Sequence, residues 1–428
     1  LGLGDSEPSQ REKQVMKVLQ IRFDFKTACG LIGLAGLLLA LATRFVGAPF
    51  PLILAIANVG RLLGINISPQ AAYYSILLCW YIIGFFGLYA WLVRTGEQPQ
   101  RTSLEEFLTS PVSRALAALV LVMFLGVLFD ADGAFYKLAT HRDGLRQASE
   151  FGILACGLTL VIITGGIDLS VGSVLALSAV LFALFTIHWG WSPPLALAVC
   201  LGVGASCGIA SGILVANFRI QPFIATLAMM VFARGLAKTI SGGMKISTAV
   251  RNPDGTYRYV PIPEILEAID SRIFWGNISM VTVIFLVCAA VTGILLAWHR
   301  WGRELYAIGG NEEAARLSGI AVGRAKVLAY MASGFLAAVA GICHAAQEKQ
   351  GDPEAGVGYE LTAIAMVVIG GTALTGGRGS IGLTLLGTLT IGYLEKILSI
   401  NAVPEAQRLM LTGVIIVTAV LMQQRRQG

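Results

Sequence analysis

Asp168 is the residue of this chain best placed to do chemistry. It stands in the run Thr164-Gly165-Gly166-Ile167-Asp168-Leu169-Ser170-Val171-Gly172-Ser173, a carboxylate among glycines between two long apolar stretches. A bare Asp near mid-bilayer costs about 2.5–3.5 kcal/mol on insertion scales, so it must be partnered, face a wet cavity or sit at a boundary. Two roles are open to it. Either it lines or gates a polar pathway, where water or a ligand hydroxyl satisfies it, or it caps the helix that begins near Leu169, its carboxylate accepting from free amides of the first turn. Capping is the favoured role. Ser170 and Ser173 share the ambiguity, because small hydroxyl residues also let membrane helices pack closely.

Three further positions invite the same question. Gln221 and Pro222 restart a helix after a basic turn at Arg219, which puts Phe223, Thr226 and Met230 on one face, suited to a pathway or to helix and lipid contact. Arg234 lies inside an apolar run, where a guanidinium must snorkel or pair; Glu150 and Glu360 are candidate partners.

The segment Gly302 to Ile320 reads as a short surface helix. Asn311 can cap it, Glu312 and Glu313 suit its positive amino-terminal end, and Gly319 can end it after about two turns. Ala314, Ala315 and Leu317 are then exposed as a knob for a groove on a partner.

Other chemistry finds little support. The four histidines lie far apart with no i, i+4 partner, so no metal site is expected. The seven cysteines form no C-x-x-C pair, and Cys79, Cys156, Cys200, Cys207 and Cys288 fall inside apolar runs as packing residues. Gly376-Gly377-Arg378-Gly379-Ser380 is a tight turn, since no G-x-x-x-x-G-K-[ST] pattern and no preceding strand mark a phosphate loop. No catalytic residue is expected, and the chain holds no ATPase site of its own.

The elements that must position these residues are helical and apolar. Hydrophobic residues make up 56% of the 428 positions and charged residues 13%, and the mean hydropathy is +0.74. A soluble core cannot absorb that much apolar side chain, so the fold class is an all-α polytopic membrane protein. The net charge of +6 falls mostly between apolar runs, as the positive-inside bias expects, and nucleic-acid binding is not expected. Residues 1–26 read as a cytoplasmic tail without signal-peptide character. Residues 27–93 carry an accessory pair of spans, Thr27 to Val46 and Tyr73 to Val93, and 94–113 form a cytoplasmic linker. The main body, 114–426, holds ten apolar segments: Arg114 to Phe129, Phe151 to Thr164, Leu169 to Ile187, Pro194 to Ala216, Pro222 to Ile240, Ile278 to Trp298, Val327 to Ala346, Leu361 to Leu374, Ile381 to Leu398 and Leu409 to Met422. That predicts about twelve transmembrane helices with both termini cytoplasmic. Asp130 to Ser149 and Ser241 to Asn277 are longer polar segments on the opposite face.

An internal echo runs at a shift of 210 residues. Arg114 matches Arg324, Glu150 matches Glu360, and Ser170-Val171-Gly172 matches Ser380-Ile381-Gly382, with Thr375-Gly376-Gly377 answering Thr164-Gly165-Gly166 one residue further on. Transporters are often built from such repeats with the site between them, although glycine-rich apolar sequence also matches by chance.

Four pieces in order resemble the permease subunits of carbohydrate ABC importers, the ribose-type branch. They are Gly166 to Gly172, Gln221 to Met230, Gly309-Gly310-Asn311-Glu312 running on to Gly319-Ile320, and Ile369 to Thr372 with Gly376-Gly377. The resemblance covers about residues 114 to 426 and implies a ten-helix permease core preceded here by an extra pair. It also implies a bacterial inner-membrane location, a second permease copy, cytoplasmic ABC ATPase subunits that use ATP and Mg, and a periplasmic sugar-binding protein delivering a monosaccharide or polyol. The loop 299–324 then becomes the ATPase-coupling segment, carried by Gly309, Gly310, Asn311, Glu312, Glu313, Ala314, Ala315, Arg316 and Gly319. Asp168, Ser170, Ser173, Gln221, Phe223, Thr226 and Arg234 become pathway or gate candidates. An ion-coupled secondary transporter is the alternative, for which few ionisable residues lie inside the spans.

Overall fold

The computed structural model describes residues 110–413 except 252, 253, 255, 405, 409, 411 and 412. The accessory spans before residue 110 and most of the expected helix Leu409 to Met422 lie outside the described residues. Within them the chain is helical: α1 (Pro111–Leu128), α2 (Leu138–Ile163), α3 (Val171–Ala183, prolonged by a π turn Leu184–His188), α4 (Pro193–Ala216), α5 (Pro222–Ser241), α6 (Glu264–Asp270), α7 (Met280–Trp298), α8 (Arg300–Gly310), α9 (Glu312–Leu317), α10 (Val322–Glu348), α11 (Tyr359–Gly370) and α12 (Ile381–Ile400). Two small antiparallel hairpins, β1 (Ala249–Arg251) with β2 (Tyr257–Tyr259) and β3 (Arg272–Ile273) with β4 (Ile278–Ser279), flank α6. Among the described residues eight helices are long and apolar enough to cross a membrane.

The first nine apolar segments of the main body each coincide with a helix, and three differ markedly in extent, α10 gaining five residues at its start and two at its end. α2 begins at Leu138 and runs 26 residues, so more than half of the polar stretch Asp130 to Ser149, expected as an external loop, is helical. Its charges are absorbed by partners: Arg146 donates to Asp270 at 2.5 Å, Arg272 to Asp143 at 2.6 Å, and Arg142 to Asn277. α11 is the opposite case, stopping after 12 residues at Gly371, whose φ is +110°. At 1.5 Å per residue it is only ~18 Å long, short of the ~30 Å of a hydrocarbon core.

α2, α3 and α10 form the enclosed centre, and α4 lies along α10. The α4–α10 contact is set by glycines: a β-carbon at Gly208 would overlap the Tyr330 carbonyl, and one at Gly334 would overlap that of Gly204. Small residues let backbones approach where lipid supplies no hydrophobic drive between helices. α1, α5 and α7 turn Leu121, Phe124, Val231, Phe232, Leu286 and Val291 outward, all more than half exposed. Such apolar faces suit contact with lipid.

Candidate functional site

Two breaks in the helical core and one surface element meet at a single place. The first break follows α2. Thr164 Oγ1 donates to Val161 O at 2.7 Å and Gly165 takes φ +77°, turning the chain toward Asp168. The Asp168 side chain is fully enclosed. Its Oδ1 accepts from the Ser170 amide at 2.9 Å and the Ser170 hydroxyl at 2.6 Å, while Oδ2 accepts from Ser333 Oγ of α10 at 2.8 Å. α3 starts at Val171. The carboxylate therefore bonds the residue ahead of the first turn rather than an amide inside it, and ties the break to α10. Ser173 is buried one turn further along α3.

The second break lies between α11 and α12. Ala373 N donates to Arg378 O at 3.0 Å, closing a tight turn through Gly376 and Gly377, and Gly377 N donates to Ile163 O at 2.9 Å. The two Thr-Gly-Gly stretches that echo each other in sequence thus touch. Ser380 Oγ caps α12 by accepting from Leu383 N at 3.2 Å.

Onto these breaks sits α8, an amphipathic helix within a segment that the sequence by itself presents as part of a loop. Tyr306 Oη donates to Gly379 O at 2.8 Å. At Gly309 a β-carbon would overlap both Ile163 O and Gly377 N. α8 follows α7 after the single residue His299, and α9 follows α8 after the single residue Asn311.

α9 forms as its residues dictate. Asn311 Oδ1 accepts from Ala314 N at 3.0 Å, Glu312 and Glu313 occupy the first turn, and Gly319 takes φ +83° just past the end. Glu312 bonds Arg316 at 3.1 Å and Lys326 of α10 at 2.6 Å. The Lys326 hydrogen bond, reinforced by the charges of Lys326 and Arg316, holds the Glu312 carboxyl below its ordinary range against the opposing effect of desolvation. A carboxyl so lowered contributes stability above its unfolded pKa and loses it as pH falls through the folded value. Leu317 is 84% exposed and Ala314 is exposed, but Ala315 is buried. The exposed knob is thus narrower than expected: Ala315 faces inward because it anchors α9, and Ile320 N bonds its carbonyl at 3.1 Å.

The remaining candidates lie on α5. Thr226 is buried and its hydroxyl donates to Pro222 O at 2.9 Å, close to Ile167 O of the first break at 3.3 Å. Gln221 and Phe223 are exposed. Arg234 bonds neither Glu150 nor Glu360; its Nη1 donates to Pro353 O and Ala355 O, both at 2.6 Å. A guanidinium can satisfy itself on backbone carbonyls, and here it pins the chain entering α11. Glu150 is held instead by His344 Nδ1 at 2.9 Å and Gln347 Nε2 at 3.3 Å. Among the described residues no group of three His, Cys, Asp or Glu could hold a metal ion.

The family described as branched-chain amino acid transport system / permease component matches residues 142–420, which takes in both breaks and the α8–α9 element. The chain belongs to that permease family. The ribose import permease RbsC of Escherichia coli (strain K12) is 37% identical over 317 residues, 73% of this chain and 93% of the relative. RbsC of Bacillus subtilis (strain 168) is 38% identical over 319 residues, 73% and 92%. The fructose import permease FruG of Bifidobacterium longum is 35% identical over 317 residues, 73% and 90%. No solved structure matches the chain. Family membership and apolar helices together make this a multi-pass inner-membrane permease, a transporter component rather than an enzyme.

Proposed function

We propose that the chain forms the membrane pathway of an ATP-driven importer for a monosaccharide or polyol, assembled as two copies around a central route. A periplasmic sugar-binding protein delivers the substrate, and separate ATPase subunits on the cytoplasmic face supply ATP and Mg chemistry. The observation that carries this reading is the α8–α9 element, a rigid outward knob whose base is seated on both helix breaks. Force applied at α9 then reaches the loops that flank the pathway. Asp168, Ser170, Ser173 and Thr226 act at the first break as the gate, while Gln221 and Phe223 line its approach. Arg234 acts on the same side of the pathway through the loop it holds. The twelve-helix count, cytoplasmic termini and extra amino-terminal pair complete the reading, the pair serving helix packing or partner contact.

The sugar relatives support a carbohydrate, although the family description names amino acids. Few ionisable side chains in the spans suit a neutral polyhydroxy substrate and speak against an ion-coupled carrier. In proteoliposomes with candidate ATPase and binding-protein partners, ribose or fructose uptake should require ATP, and leucine should not be taken up. Uptake by the chain alone, or collapse of uptake with an ionophore, would favour the carrier instead.

A second measurement addresses α9. Glu312→Arg removes both ion pairs of Glu312 and sets a cation against Arg316 and Lys326. ATPase association or coupled uptake should fall about tenfold, by pull-down or transport assay, as loss of about 1.4 kcal/mol would give. Wild-type values for both would remove α9 from the coupling role.

A further inference from the structure

Beside α9 the surface opens into a cavity of about 930 Å³ between the α4–α5 turn and the start of α10. Arg219, Arg316, Arg324 and Lys326 line it, with Glu312 as the carboxylate among its lining residues. Glu312 already engages Arg316 and Lys326. Arg219 and Arg324 are exposed, and among the described residues neither takes part in an ion pair. Arg219 is held at φ +55°, a left-handed conformation that a side-chain-bearing residue adopts at a cost.

The backbone adds to this charge. α5 begins at Pro222 and α10 at Val322, both in the cavity wall, and neither first turn is capped by a side chain. Two long helices therefore present positive ends and free amides to one space. α4 also ends here, but carbonyls of its last turns are taken: Asn217 N bonds Ile213 O at 2.9 Å and Ile220 N bonds Leu214 O at 3.1 Å. The space is thus built for an anion.

Its walls are not those of a simple phosphate site. Ile213 and Leu328 line it and are 37% and 41% exposed. Phosphate in water gains nothing from such neighbours, and an acidic protein segment does not need them on membrane-spanning helices. A molecule with a phosphodiester head and acyl chains satisfies both halves. We propose that this cavity binds the headgroup of an anionic glycerophospholipid, with Arg219 and Arg324 as its principal ligands and its chains against Ile213 and Leu328. Basic pockets between membrane helices commonly serve this purpose. Because Glu312 and Arg316 belong to the same wall, the lipid would touch the base of α9.

Retained phosphatidylglycerol can be measured by native mass spectrometry on the full-length purified chain after reconstitution in nanodiscs of phosphatidylcholine and phosphatidylglycerol. Wild-type chain should keep phosphatidylglycerol in preference to phosphatidylcholine, and millimolar inorganic phosphate should not displace it. Arg219→Gln with Arg324→Gln should weaken retention about thirtyfold, two surface cations' worth, while Arg219→Lys with Arg324→Lys keeps most of it. No headgroup preference in the wild type overturns the proposal without need of any variant. Displacement by phosphate alone would show a free-anion site and overturn the lipid. Unchanged retention in the Gln variant, with lost ATPase association, would assign the patch to a protein partner and overturn it as well.

Discussion

Gly309→Ala is expected to abolish productive coupling: ATP-dependent uptake should fall at least tenfold, with weaker association of the ATPase subunits. The added methyl would overlap Ile163 O and Gly377 N, both backbone atoms of the two breaks, which cannot swing aside as a flexible side chain does. Overpacking of this kind costs about 1–3 kcal/mol, and here the relief available is to lift α8 off its seat. Gly202→Ala is the matched control, since nothing lies within 4 Å of a β-carbon there. Uptake and ATPase rates read side by side decide the matter, and a Gly309→Ala transporter as active as the control would show that the seat is not needed.

Asp168→Ala should produce the largest loss of stability. The substitution leaves the Ser170 amide, the Ser170 hydroxyl and the Ser333 hydroxyl without their acceptor in a fully enclosed site. Buried donors stripped of their acceptor cost about 3 kcal/mol together. Asp168→Asn keeps the shape and one acceptor oxygen, so it should lose markedly less. Thermal unfolding of the purified chain measures both. An alanine variant melting with the wild type would mean that the tie between the first break and α10 contributes nothing.

The first nine apolar segments of the main body are readable because each is a run of hydrophobic residues bounded by polar or glycine-rich sequence, although α11 is too short to cross lipid by itself. α9 was readable for a local reason: Asn311, the two following glutamates and Gly319 each satisfy one end of a short helix. What escaped depends on distant partners. The first turns of α2 carry Arg142, Asp143 and Arg146, whose polar character suggests a loop until Asp270, Arg272 and Asn277 arrive to pair with them. α8 is hidden because its polar face and two terminal glycines read as loop, and much of its buried face is met by α10 and the two breaks, far away in sequence. The apolar surroundings of Arg234 point to a carboxylate partner, yet two backbone carbonyls of the loop before α11 meet its needs. Asp168 stands out in the sequence as a lone carboxylate among glycines, but Ser333, the residue that joins it to α10, carries no signal that one sequence could reveal.

From Met280 to Leu317 the chain is three consecutive rods with one residue, His299 and then Asn311, at each joint. Joints so short leave no slack to take up. A tilt imposed on the outermost rod must appear at the innermost within the same movement, or else a hydrogen bond at a joint must break. In the proposed coupling role the train would act like a gear without backlash, passing small displacements from α9 on to α7.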